Sequence, residues 1–393
     1  MRILVVMRFI LIVFTLIAFQ IKLNAQSFNF NQGGFTNTDY FIEIPYTRVK
    51  GKIIIEVKMG AEVRKFILDT GAPTAISISL LEKLKLDILS SQDFTDINGR
   101  KSVLEVANIK ELKLGESVVA DIPAVVLDEN ILTKCFDVDG LIGSNLLRNS
   151  IVQFDYKNKV IRISNDINKI NISNAKPSDI LIDKQSSPIF NIQLGDKAKE
   201  MLLFDSGADE LYSMSNNNLE KLKKAKAFSV ISESLGSNSF GINGLERESK
   251  NYRLLIPEFN IMGFTLKNIV SETTSDGNSR IGARLLEYGM LTINYKNSKS
   301  YFEPFSQIAI NKEEYWDLSP TFMNGKLVVG RIWSQELKKI AVGDQILFIN
   351  DKDMTSFTEC EFLFSSPLAD IKKATLKVQD AKGEIQTIEI KKI

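Results

Sequence analysis

Apolar residues along this chain fall mostly into short runs that alternate with polar ones or cluster as β-branched triplets, with Gly, Asn and Asp between them. Phe41-Ile-Glu-Ile, Ile53-Ile-Ile-Glu-Val-Lys-Met and Ile151-Val-Gln-Phe-Asp-Tyr read as strands, as do residues 103–106, 109–114 and 124–127. Gly60-Ala-Glu turns the strand from Ile53 into the next, so this stretch is a hairpin. Helical spacing is rare. Leucines at 80, 81, 84 and 86 predict a short helix within residues 78–89, and residues 358–364 are compatible with another. The expected fold class is mainly β.

One strand pattern occurs twice. Lys65-Phe-Ile-Leu-Asp69-Thr70-Gly71-Ala72 carries a carboxylate out of an apolar run into a sharp turn, and Met201-Leu-Leu-Phe-Asp205-Ser206-Gly207-Ala208 does the same. Each is followed by an apolar element ending in Gly, at Leu141-Ile142-Gly143 and Ile281-Gly282. Beyond these the two copies align without a gap, with Gly, Leu, Leu, Tyr, Lys and Asn recurring between residues 143–158 and 282–297. An internal duplication follows, unlike the short periods of solenoids. It predicts two β-rich lobes, residues 40–165 and 180–307, about a pseudo-two-fold axis that brings Asp69 and Asp205 to equivalent places. Residues 166–179, rich in Asn, Ser and Asp with Pro177, are the linker. Residues 311–393 follow a different grammar and form a third, small unit.

The 393 residues suffice for two or three such cores. With 49 Lys and Arg against 48 Asp and Glu, the net charge of +1 gives no field for nucleic acid, and no such partner is expected. The absence of His removes Ser-His-Asp triads, Cys-His pairs and His-bearing metal sites, leaving carboxylates and Lys for acid-base work. Cys135 and Cys360 are too few for a disulfide framework and are expected as two buried free thiols, with one long-range disulfide as the alternative. Residues 1–25 read as a signal peptide, with Arg2 and Arg8 before an apolar run too short to span a membrane, and cleavage is expected before Gln26. Residues 26–39 are a flexible lead-in. The mature chain is then periplasmic, on the cell surface or secreted, with no stable membrane span. Asp209 is expected as a surface or subsite acid, and the lysines between 221 and 226 as a solvated helix face.

Two carboxylates a hydrogen bond apart share one proton, because like charges at that distance repel. One can then deprotonate a water while the other protonates a scissile carbonyl, with no metal, cofactor or covalent intermediate. Gly71 and Gly207 allow close backbone approach, and Thr70 and Ser206 can tie the two turns together. The duplicated Asp-Thr/Ser-Gly-Ala set with its apolar-Gly partners resembles the retropepsin-like and pepsin-like aspartic proteases over residues 40–307. That resemblance implies two acid-protease-type lobes, a catalytic dyad of Asp69 and Asp205, and an extended peptide or protein substrate. Arg280 stands where that family usually has an apolar residue and is expected to be exposed or paired. Flap candidates are residues 96–100 and 236–244.

Gly343-Asp344-Gln-Ile-Leu-Phe-Ile-Asn350 resembles the strand and turn of a PDZ domain, which implies capture of a peptide ligand by strand addition. Its peptide-binding loop falls on Trp316, Asp317, Leu318 and Ser319, and Asp317 in the family's Gly position is expected to repel a chain terminus. The expected protein is an exported aspartic endopeptidase with a PDZ-like module. The alternative is a catalytically inactive peptide-binding or scaffold protein of the same architecture.

Overall fold

The computed structural model describes residues 28–173, 175–241, 243–311, 314–369 and 371–393. The expected signal peptide and its cleavage junction lie outside them. Among the described residues, no helix is long and apolar enough to cross a membrane.

The chain is mainly β, and alternation dictates how its strands lie. Phe41–Val49 exposes every second side chain and buries Ile42, Ile44 and Tyr46. It pairs antiparallel with Lys52–Met59, which pairs in turn with Glu62–Asp69. Glu62–Asp69 then lies parallel to Gly140–Gly143, with Leu68 opposite Ile142 and Asp69 opposite Gly143. In the second lobe Ala198–Asp205 lies parallel to Arg280–Gly282 in the corresponding way, with Phe204 opposite Ile281 and Asp205 opposite Gly282. Both acid-bearing strands are backed by fully buried apolar residues, as alternation at the end of a half-buried strand requires.

The lobes meet through backbone as well as side chains. Ile151–Asp155 pairs antiparallel with Gly289–Asn294, Val152 facing Ile293 and Phe154 facing Leu291. Above this seam Phe154 meets Phe204 edge-on at 5.7 Å, and Phe204 stacks on Phe190. One apolar cluster therefore runs through both lobes, from Ile53 and Leu68 to Ile281 and Leu291. A shared core of this kind leaves little freedom for one Asp strand to shift against the other.

Residues 318–391 form a smaller unit with its own core of Leu318, Val329, Ile346, Leu376 and Ile390. Its strand Lys326–Ile332 also reaches the second lobe, where Arg331 pairs with Gly236 at the end of Ser229–Gly236. On the other side, the helix Glu359–Phe364 packs on the first lobe's helix Ile131–Phe136, with Phe364 edge-on to Phe136 at 5.1 Å. That packing brings Cys135 and Cys360 to a Cα separation of 5.1 Å, and they are disulfide-bonded rather than free. The two thiols stand 225 residues apart in sequence, so only the docking of two helices from different units reveals the pair.

Two further segments differ from expectation. Residues 28–39 are docked instead of loose: Phe30 is buried, its carbonyl accepts from Asn145 Nδ2 at 3.3 Å, and Gly34–Phe35 pairs with Ala120 and Val119. The helix expected within residues 78–89 spans Ile78–Leu84, capped by the Ser77 hydroxyl and ended by Lys85 in the left-handed region. Residues 88–95 are instead drawn into a hairpin with Lys101–Leu114.

Candidate active site

Asp69 ends the strand Glu62–Asp69 and Asp205 ends Ala198–Asp205. Each carboxylate accepts from the backbone N–H two residues on, Gly71 to Asp69 Oδ1 at 2.9 Å and Gly207 to Asp205 Oδ1 at 2.8 Å. The residues between them cross-link the turns. Thr70 N–H donates to Ser206 Oγ at 3.0 Å and Ser206 N–H to Thr70 Oγ1 at 3.0 Å, while the hydroxyls donate onward to the carbonyls of Phe204 and Leu68. Both hydroxyl residues are fully buried. Every donor and acceptor in this lacing is satisfied, so it rigidifies the junction on which the two acids stand.

The lacing brings the carboxylates into contact. Asp205 is 7% exposed and Asp69 somewhat more open. Burial, then the charge of Asp205, pushes the Asp69 carboxyl up to about 7, and the two side chains share a hydrogen bond. Lys52 and the Gly71 N–H oppose that rise. Lys52 also donates to the Gly207 carbonyl, which holds its ammonium beside the pair. The glycines are here for space. A Cβ on Gly71 would stand 2.6 Å from Asp205 Cγ, and one on Gly207 would overlap the Asp69 carboxylate.

The raised Asp69 fixes the sign of one pH effect. A carboxyl that stays protonated in the fold but ionises in the unfolded chain costs stability as pH rises from about 4 to about 7. Asp69→Asn cannot ionise, so its melting temperature relative to the parent chain should be higher at pH 8 than at pH 4. Equal differences at the two pH values, by differential scanning calorimetry, would show that the Asp69 proton is not held by the fold.

Arg280 supplies what sequence alone left open. It is 7% exposed and paired, its Nη1 lying 3.2 Å from Asp205 Oδ2 and its Nη2 on Asp276. A buried guanidinium thus touches one of the two acids directly. Its Nε is buried with no hydrogen-bond partner.

The loops above the acids close toward each other. At the tip between Ile88–Thr95 and Lys101–Leu114, Asp96 Oδ2 accepts from Asn243 N–H at 3.3 Å and Arg100 Nη1 donates to Asn243 O at 2.8 Å. Asn98 Nδ2 reaches Gly244 O at 3.3 Å. These are the two stretches expected as flaps. Ile97 and Arg280 line one cavity of about 390 Å³, together with Glu210, Tyr212 and Glu246. The first tip therefore shares a cavity with Arg280, the residue that pairs with Asp205.

Asp209 is half exposed and pairs with Arg48 at 3.1 Å and with Arg284 at 3.7 Å, away from the carboxylate pair. Lys221, Lys223, Lys224 and Lys226 are exposed on and after the helix Leu219–Lys224. In the C-terminal unit the four expected loop residues are already engaged, Asp317, Leu318 and Ser319 within the unit and Trp316 with the second lobe. The Asp317 carboxylate accepts from Lys391 N–H at 3.2 Å and its carbonyl from Trp333 N–H at 2.9 Å. Leu318 is fully buried, Ser319 Oγ accepts from Trp333 Nε1 at 2.9 Å, and the Trp316 carbonyl accepts from Arg253 of the second lobe. Asp317 is turned inward, so its charge does not face an incoming chain end as expected.

Comparison with known proteins adds a family and a likeness. Residues 53–146 match the family model described as Aspartyl protease, which spans the first acid, its turn and the Leu141-Ile142-Gly143 element. No curated protein matches the sequence. Among solved structures, an aspartic proteinase from Irpex lacteus is similar with a TM-score of 0.42 and 12% identity, covering 68% of this chain and 98% of that one.

Proposed function

We propose that this chain is an exported aspartic endopeptidase in which Asp69 and Asp205 activate a water between them. The observation that carries the reading is the contact between two carboxylates on laced turns, one of them held protonated up to about pH 7 by burial and by its neighbour. A pair with one proton holds a base and an acid at once. The base takes a proton from water as it attacks the amide carbon, and the acid donates to the carbonyl oxygen, giving a tetrahedral diol. Collapse of that diol, with a proton passed to the departing amine, separates the two products. The flap tips Asp96, Asn98 and Arg100 close over the substrate. The second lobe is a duplicate of the first, and its own Asp-Ser-Gly element supplies the second acid. Residues 311–393 act as a PDZ-like module beside the flap; since Asp317 and Ser319 bond within the unit, Leu318 is buried and Trp316 binds the second lobe, a peptide ligand would be held by the edge of the sheet and not by that loop.

A second reading has its own observation. The direct ion pair of Arg280 with Asp205 is not needed for the water mechanism, and a guanidinium seated there also suits a protein that binds peptides without cutting them. Cleavage of a mixed peptide library by residues 26–393, from pH 3 to pH 8, separates the two. Internal peptide bonds cut under some condition support the peptidase. A folded protein that binds library peptides but cuts none at any pH establishes the binding reading in its place.

A further inference from the structure

The two acids are equivalent in their backbone setting but not in their surroundings. Asp205 has a guanidinium nitrogen 3.2 Å away, whereas Lys52, whose charge acts on Asp69, donates to the Gly207 carbonyl. The charged groups that act on the pair are Lys52 from the strand Lys52–Met59, Arg280 from Arg280–Gly282 and Asp276 from the preceding loop, while Glu210 after the second turn acts on Arg280. Arg280 is compensated on its far side by Asp276, so the line Asp276, Arg280, Asp205 alternates in sign. Asp205 and Arg280 are buried and Asp276 is partly so, and such contacts are less screened than surface ones.

Resting on the peptidase reading, we infer that Arg280 is a positioning residue that localises the pair's negative charge on Asp205, making Asp205 the base toward water and Asp69 the proton donor to the carbonyl oxygen. In the resting pair Asp69 carries the shared proton, and its hydrogen bond points to Asp205. Asp205 takes one proton from water as the water oxygen bonds to the amide carbon, and Asp69 gives its own to the carbonyl oxygen. The proton on Asp205 leaves with the amine, and Asp69 regains one when the new carboxyl forms. Arg280 transfers nothing in this cycle. It lowers the cost of a charge on one oxygen, and so both macroscopic ionisations of the pair occur at lower pH than they would without it.

The test uses the full mature chain with Arg280→Met, Arg280→Lys and the double variant Arg280→Met/Asp276→Asn, which leaves no unpaired buried carboxylate at 276. Two readouts are taken: the pH profile of kcat/KM on a peptide the parent chain cuts, and the carboxyl ¹³C titration of labelled aspartate, which needs no turnover. The expected result is an acid limb moved upward by about one to three pH units in Arg280→Met and in the double variant. Arg280→Lys should return most of that shift, and in the parent chain the titration nearest neutral pH should appear on Asp69. Unmoved limbs and an unmoved carboxyl titration in both Met variants would overturn the assignment, as would a neutral-range titration on Asp205. If the parent chain cuts nothing, the peptidase reading fails while the ¹³C titration still decides where the charge of the pair resides.

Discussion

Asp69→Asn and Asp205→Asn, each made alone, should lower peptide turnover by about 1,000-fold or more, because each removes half of a proton pair that works only as a unit. An amide at either position keeps the turn, since its oxygen still accepts from Gly71 or Gly207 N–H, and the Thr70 and Ser206 lacing does not involve the carboxylates. The loss at 69 is therefore in kcat; at 205 a stability cost accompanies it, because the buried Arg280 guanidinium then keeps only Asp276 as its carboxylate partner among the described residues. Gly207→Ala reaches the same end by another route: its Cβ would overlap the Asp69 carboxylate and force the two acids apart. A displacement of about 1 Å can cost about 100-fold in rate. Both classes of variant should bind a peptide inhibitor more weakly and retain the parent far-ultraviolet circular dichroism. Single-turnover kinetics on any library-derived substrate check this, and a variant at 69 or 205 with near-parental kcat would remove the dyad from the mechanism.

Arg331→Met is the second large effect, expected on stability. Arg331 is fully buried where the C-terminal unit joins the second lobe's flap hairpin, with Nη2 on Glu246 Oε1 at 2.7 Å and Nε on Asn238 Oδ1 at 2.8 Å. Its remaining donors go to Ser249, through the carbonyl at 2.8 Å and the hydroxyl at 3.0 Å, and to the Ser234 carbonyl at 3.5 Å. Removing the guanidinium leaves Glu246 buried with the Asn238 and Ser239 N–H groups and a long contact from the Ser249 hydroxyl, and no cation. Breaking one side of a buried pair costs about 3–5 kcal/mol, mostly for the charge left behind. Arg331→Met/Glu246→Gln should recover much of that loss, and urea unfolding of the three proteins measures both. Hydrogen exchange should rise first in residues 229–249, because Asn238, Glu246 and Ser249 lose the guanidinium that ties this stretch to the C-terminal unit, and Asn243 carries the contacts to the first lobe's loop tip. A single variant as stable as the parent would mean that water reaches Glu246 and the pair is not a dry one.

What could be read beforehand was local. Strand runs such as Phe41-Ile-Glu-Ile announce themselves because alternation is a property of neighbouring residues, and the mainly β class follows from counting them. The turns at Asp69 and Asp205 are likewise written in consecutive residues, down to the hydroxyls at 70 and 206. Arg280 was conspicuous by its type, but its partner was not, because Asp205 reaches it only through the parallel pairing of two strands. The Cys135 and Cys360 bond and the burial of Arg331 were invisible for the same reason: each depends on how one unit docks on another. Residues 28–39 looked loose since they are polar and contain Gly, yet Phe30 packs edge-on against Phe94 of the first lobe at 5.9 Å and holds them down.

The bond between Cys135 and Cys360 also changes what a broken backbone means for this molecule. Everything between those two residues, including the whole second lobe, belongs to a closed covalent loop. A single nick in the exposed stretch around residues 171–179, or near 305–308, opens the loop without releasing a piece. The nicked protein would run as one species on a denaturing gel without reductant and as two with it. In an oxidising setting, a molecule cut once by itself or by a neighbour would therefore keep both acids on one covalent body.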